Sequence, residues 1–349
     1  MKQSEWGLVL SGGGGKGAFE AGVILGMHQE IKNCITAVAG ASVGALNAVL
    51  FAIDEPGMVG EIWSNITAED VFTLSLSKFT ENFDPLRDGI FERDGLKNII
   101  HRYNILDKFK NTRISTYISL SKHEADRLVP KFELLNNKAE DELMDLLMAT
   151  SALPIIFGAE TTNGATYSDG GLTGQDGNVP IEPLYQAGYR KMIVVHLHNE
   201  YDATEAAKDR IQLAKYADCT FIHIYPHVDM GSLLGTLNFN PGRIRELMAL
   251  GQMEVQNIVH KFVQILFDEK DAANMKKIEF RLMSAYGDTA VMDYYKELVA
   301  LIAEKTPNNK PLPERMLAKT ELLKQIEEQL DHFADKKEVG ELVKAYLLA

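Results

Sequence analysis

Gly7-Leu8-Val9-Leu10 runs into Gly12-Gly13-Gly14-Gly15-Lys16-Gly17, and further on Ile35-Thr36-Ala37-Val38-Ala39 runs into Gly40-Ala41-Ser42-Val43-Gly44. Short, continuous apolar runs bounded by glycine read as strands buried on both faces. The stretches that follow them, about Ala18 to Ile31 and about Val43 to Ile53, read as helices. Strand, loop, helix, strand, sharp turn, helix is the alternation of a parallel sheet covered on both sides. The expected fold is α/β, a three-layer sandwich with a mainly parallel central sheet.

Outward from that start the pattern continues. Residues 54 to 112 are less regular, with turn residues at Asp54-Glu55-Pro56-Gly57 and in Phe79-Thr80-Glu81-Asn82-Phe83-Asp84-Pro85. Such a segment can cover the mouth of a pocket. Strands are expected at Arg113 to Leu120, Leu128 to Leu135, Met192 to Leu197 and, last, Thr220 to Tyr225. A helix is expected from about Glu140 to Met148, and another extended segment ends at Tyr167-Ser168-Asp169-Gly170-Gly171. Beyond Arg243 the apolar spacing turns helical, notably Glu246 to Phe267. Pro307 to Pro313 reads as a break, and Glu314 to Leu348 as a helical hairpin. The division that follows is an α/β domain over 1–255, with an insertion at about 55–112, and a helical C-terminal extension over 256–349.

Thirty-six basic and 49 acidic side chains give a net charge of −13. That balance excludes nucleic acid as the main partner, because phosphate binding needs clustered Lys and Arg. It also removes a global pull toward anionic membranes, while leaving a transient contact with a membrane surface open. The chain has two cysteines, Cys34 and Cys219, so no disulfide framework is implied and a cytoplasmic setting is expected. No basic region precedes the first apolar run, so no signal peptide is expected. Ala37 to Ile53 is nearly free of charge, but it is short for a span and contains Gly40, Ser42, Gly44 and Asn47.

Ser42 sits where a strand turns sharply into a helix, the placement that exposes a nucleophilic hydroxyl and aims a helix N-terminus at it. The plainer alternative is a serine N-cap in a glycine-rich turn. The loop Gly12–Gly17 offers a run of backbone N–H groups at a helix start, suited to an anion. It also contains the dinucleotide fingerprint as Gly12, Gly14 and Gly17, but no acidic residue closes the second strand, as ribose binding would need. Nor is Lys16 followed by Ser or Thr, as in a phosphate-binding P-loop. Neither the histidines nor the cysteines show metal-ligand spacing, so no metal and no cofactor is expected; His196, His198, His223 and His227 read as packing or hydrogen-bonding residues. Asp169 differs, because Gly170 and Gly171 let it approach another loop, although Asp-Gly also makes an ordinary Asx turn.

The ordered set Gly-Gly-Gly-x-Lys-Gly (12–17), Gly-x-Ser-x-Gly (40–44) and Asp-Gly-Gly (169–171) resembles the patatin-like phospholipase family. Asn47, Ser151-Ala152-Leu153-Pro154 and Asn178-Val179-Pro180 agree with it. The likeness runs over about residues 6 to 200, and more faintly to about 255 through Gly235-Thr236-Leu237-Asn238-Phe239. Ser11 departs from it, at a position where many members carry Asp or another polar residue. The resemblance implies Ser42 as nucleophile, Asp169 as general base, and Gly13, Gly14 and Gly15 as the oxyanion hole with Lys16 at its edge. Gly12, Gly17, Gly40, Gly44, Gly170 and Gly171 would support those motifs. It further implies a phospholipid or lysophospholipid substrate, and the apolar residues around 60–105, within the 55–112 insertion, are suited to a lid or an acyl groove. An aspartate base, ordinarily with a pKa near ~3.9, suits esters better than amides. Two other readings stay open: a dinucleotide-binding oxidoreductase using Gly12–Gly17, and a regulated member whose helical extension senses a ligand.

Overall fold

The computed structural model describes residues 5–74, 88–286, 311–332 and 336–349. It divides into two compact units, Met1–Val259 and His260–Ala349. The strands are β1 (Trp6–Leu10), β2 (Ile35–Ala41), β3 (Thr73–Leu74), β4 (Phe91–Glu92), β5 (Ser115–Glu124), β6 (Arg127–Leu134), β7 (Glu160–Thr162), β8 (Ala165–Asp169), β9 (Lys191–Val195) and β10 (Thr220–Ile224). Eight of them form one mixed sheet in the order β10-β9-β1-β2-β5-β8-β7, with β6 also on β5; β3 and β4 pair separately. The first five of that order run parallel, and β6, β7 and β8 are antiparallel additions. The fold is therefore mixed α/β around a mostly parallel sheet flanked by helices, as its opening residues require. Every residue of β1 and β9 is buried. Val9, Ala37, Ala39, Met192 and Val194 join Ile181, Leu184 and Tyr189 in one core cluster.

The pairing of β5 positions the site. Ala37–Ala41 of β2 pair with Ser115–Ser119, while Tyr167–Asp169 of β8 pair with Leu120–Lys122. β6 pairs with Tyr117–Glu124, so it occupies the opposite edge from both. β2 and β8 thus follow one another along a single edge of β5, and their C-terminal ends meet there.

Several elements differ from the sequence expectation. The first helix stops at Gly26, and a separate helix covers Gln29–Cys34. The Gly26 carbonyl accepts from Gln256 Nε2 at 2.8 Å, and a Cβ at Gly26 would lie 2.8 Å from Gln252 Cα. A close backbone crossing therefore ends that helix. The 55–112 segment is more helical than its turn residues suggested, with Pro56–Asn65, Ala68–Val71, Asp94–Arg102 and Ile105–Lys110 all helical. A capping box between Thr67 and Asp70 starts one of them. The stretch Phe79 to Pro85 lies outside the described residues. In the C-terminal part, helices span Pro241–Tyr286, Leu312–Asp331 and Lys336–Leu348. The break expected at Pro307 to Pro313 is described only from Pro311, where the second of these helices begins. The second unit buries Ile278, Leu282, Ile326, Leu330, Val343 and Tyr346 as its own core. Among the described residues no helix is long and apolar enough to cross a membrane.

Candidate active site

β2 delivers its chain into a turn at Ser42, whose φ of 53° and ψ of −123° are rarely adopted by a residue with a side chain. Such strain persists only where the surroundings fix it. Here they do. A Cβ at Gly40 would lie 2.2 Å from the Gly44 carbonyl oxygen, and one at Gly44 would lie 2.5 Å from that of Leu10. The two glycines of the motif let the elbow fold onto itself and onto the end of β1. Thr150, fully buried, accepts from the Ser42 N–H at 3.0 Å and donates to the Ser119 carbonyl at 2.6 Å. That bridge ties the elbow to β5.

Asp169 ends β8; its carboxyl and the Ser42 hydroxyl line the same cavity, close enough for the hydroxyl to favour the ionised carboxylate. The Gly171 N–H holds Asp169 Oδ1 at 2.9 Å. Gly170 allows contact with β5, since a Cβ there would be 2.4 Å from the Ser119 carbonyl oxygen. A Cβ at Gly171 would press on Asn178 Oδ1 at 2.7 Å. Burial pushes the Asp169 carboxyl up to about 6, against the nearby Ser42 hydroxyl, the hydrogen bond from Gly171 and the guanidinium of Arg93. The desolvated acid is thereby brought close to neutral pH, where a general base is most useful.

The glycine loop lies on the same side. Gly12 donates its N–H to the Asn178 carbonyl at 3.1 Å. Gly13, Gly14 and Gly15 make no hydrogen bond through their N–H groups with other described residues, and they lead a 3-10 turn over Gly14–Gly17. Gly14 has φ +55°, and a Cβ there would meet the Thr236 carbonyl oxygen at 2.2 Å. A Cβ at Gly15 would meet that of Asn238 at the same distance. Gly17 faces Val43, at the start of the elbow helix. Lys16 turns its ammonium to the Gly231 carbonyl and ties the loop to the 229–239 segment. Burial lowers its pKa, with Asp229 and Glu205 opposing.

Asn47, one turn into the elbow helix, is wholly buried. It donates to the Gly17 carbonyl at 3.0 Å and to Glu20 Oε2 at 2.9 Å, and accepts from Trp63 Nε1 at 2.9 Å. Burial pushes Glu20 up to about 8, against hydrogen bonds from Asn47 and the Ser11 backbone. Glu20 is therefore a neutral acid at pH 7.

Ser42, Asp169, Gly13 and Gly14 line one end of a cavity of about 320 Å³. Its remaining wall is mostly apolar, with Leu50, Ile62, Trp63, Phe72, Ile100 and Phe157 among the lining side chains. Most of these come from the 55–112 segment. Among the described lining residues there is no histidine.

Two contributors were not singled out from the sequence, Thr150 and Arg93, whereas Asn178 entered it as part of Asn178-Val179-Pro180. Thr150 carries no motif. Arg93 is buried, donates to the carbonyls of Met148 at 2.5 Å and Gly158 at 2.8 Å, and pairs with Glu160 at 2.9 Å. A lone arginine in an irregular segment gave no signal.

Residues 8–185 match the patatin-like phospholipase family model, and the chain belongs to that family. Over 198 residues it is 24% identical to the uncharacterized protein YjjU of Escherichia coli K12, an alignment spanning 54% of this chain and 50% of that one. The chain thus matches about half the length of that relative. VipD from Legionella pneumophila aligns with a TM-score of 0.45 and 12% identity, covering 99% of this chain and 92% of its own. The type III effector ExoU aligns with a TM-score of 0.37 and 15% identity, over 97% and 71%.

Proposed function

We propose that the protein hydrolyses acyl esters of phospholipids or lysophospholipids through a covalent acyl-Ser42 intermediate. The observation that carries the reading is that the Ser42 hydroxyl and the buried Asp169 carboxyl come together in the wall of one mostly apolar cavity. Asp169 accepts the Ser42 proton as Oγ attacks the ester carbonyl. The N–H groups of Gly13, Gly14 and Gly15 stabilise the developing oxyanion, a contribution of roughly 3 kcal/mol for a single donor in comparable sites. Collapse of the tetrahedral intermediate expels the alcohol, which takes the proton from Asp169. A water then attacks the acyl-enzyme with Asp169 again as base, releasing the fatty acid and restoring Ser42.

The cavity supplies the substrate preference. Each buried methylene is worth ~0.8 kcal/mol, so a chain threaded along Leu50, Trp63 and Ile100 gains binding that a short ester lacks. The reading needs no cofactor, and it places the enzyme in the cytoplasm with transient contact to a lipid surface. The oxidoreductase alternative has less behind it, because the second strand runs out through Ala39-Gly40-Ala41 into Ser42 with no acidic residue for a ribose.

The test is fatty-acid release from phospholipid and lysophospholipid in mixed micelles by the protein and by Ser42→Ala. Release by the first alone supports the reading. No release from either lipid or from short acyl esters, or equal release by both proteins, overturns it.

A further inference from the structure

At the far end of β9, Leu197 separates two histidines, and the helix Ala203–Leu213 brings Asp209 up to both. His198 Nε2 lies 3.0 Å from Asp209 Oδ2, and His196 Nδ1 lies 3.4 Å from the same oxygen. His196 and Asp209 are 1% and 3% exposed, and His196 Nδ1 is buried without a hydrogen-bond partner. The three ligand atoms lie within 4.8 Å of one another. Two imidazoles and a carboxylate converging on one point are a common donor set for zinc and neighbouring divalent ions.

The surroundings fit as well. His196 Nε2 lies 2.9 Å from His223 Nδ1, so His223 can hold the His196 ring with Nδ1 free as a ligand. Gln175 donates to Asp209 Oδ1, the oxygen turned away from the histidines. The Tyr225 hydroxyl approaches Asp209 Oδ2 at 3.1 Å, and its ring stacks on His196 with centroids 4.0 Å apart. His198 is partly exposed, which leaves a side open to solvent for entry and for a water ligand.

We infer that His196, His198 and Asp209 form a binding site for a divalent transition-metal ion of the zinc type, at the exit of β9. Neither the family match nor the dyad calls for it. Its role is to cross-link the end of β9 to the helix Ala203–Leu213. The intervening Leu197 packs where a Cβ at Gly13 would sit, 2.7 Å from Leu197 Cδ1, so the cross-link also buttresses the glycine loop.

The full chain, stripped with chelator and titrated with Zn2+ alone, is expected to take up one equivalent and to melt several degrees higher when loaded. Co2+ in place of Zn2+ should give the visible absorption of a low-symmetry, four-coordinate site. His198→Ala, at the partly exposed position, should keep the circular-dichroism spectrum and lose the uptake and the Co2+ bands. Gln175→Ala should weaken Zn2+ affinity by roughly 10–100-fold, as removal of a ligand's hydrogen-bond support does. Absence of saturable uptake, or uptake unchanged in His198→Ala, overturns the assignment.

Discussion

Ala41 and Asp169 pair with consecutive residues of one strand: Ala41 with Ser119, Asp169 with Leu120, on the same edge of β5. Two chain segments more than a hundred residues apart therefore end head to head. The residue after Ala41 is Ser42, and its hydroxyl meets the carboxylate that closes β8. β5 acts as the ruler that sets the candidate dyad.

Ser42→Ala and Asp169→Asn should each reduce kcat for ester hydrolysis severely, by about 10³-fold or more, because each removes a partner in one proton transfer. The double variant should be little slower than either single one. Additive losses, read from initial rates with a soluble acyl ester, would show that the two residues act separately.

The acid limb of the pH–rate profile should follow Asp169. With its carboxyl pushed up to about 6, kcat/KM should fall as pH drops through that value and be level above it. Arg93 favours the ionised form, so Arg93→Gln should move the limb to higher pH. A limb near 4 in the parent protein would contradict the burial argument.

Glu20 makes a stability prediction of definite sign. Its folded-state pKa is about 8, whereas the unfolded chain titrates near 4.5. Between those values the folded state holds the extra proton, so stability falls as pH rises from about 4.5 to 8. Glu20→Gln keeps a neutral hydrogen-bonding group, and should raise Tm at pH 8 more than at pH 5. An equal shift at both would place the charge elsewhere.

Thr150→Val keeps the side-chain volume but removes the bridge from the Ser42 N–H to the Ser119 carbonyl. A buried group left without its partner costs ~1–3 kcal/mol, so urea unfolding should show a loss of that order. Activity should fall as well, since the elbow loses its tie to β5.

Val49 lines the cavity and is buried, so Val49→Phe should fill part of the acyl space. KM for long-chain esters should rise while short esters are handled as before. A uniform change across chain lengths would remove the cavity from substrate recognition.

Much of the parallel sheet was legible because its strands are fully buried and so are written as continuous apolar runs, as in Leu8–Leu10 and Met192–Val195. The placing of Ser42 and Asp169 in one site came from the resemblance, since nothing in local spacing says that β8 returns to the edge of β5 vacated by β2. Thr150 and Arg93 were illegible for another reason: each works through backbone carbonyls that no local pattern marks. The 55–112 helices were obscured by their brevity, a single turn in Ala68–Val71, and by turn residues between them. The histidines alternated with apolar residues and looked like packing; only the helix carrying Asp209 gives that arrangement a third ligand.

The most direct measurement is labelling of the intact protein with a fluorophosphonate, followed by mass mapping of the modified peptide. The account predicts one adduct on Ser42, abolished in Ser42→Ala and greatly slowed in Asp169→Asn. An adduct on another residue, or labelling of Ser42 at an undiminished rate without Asp169, would contradict it.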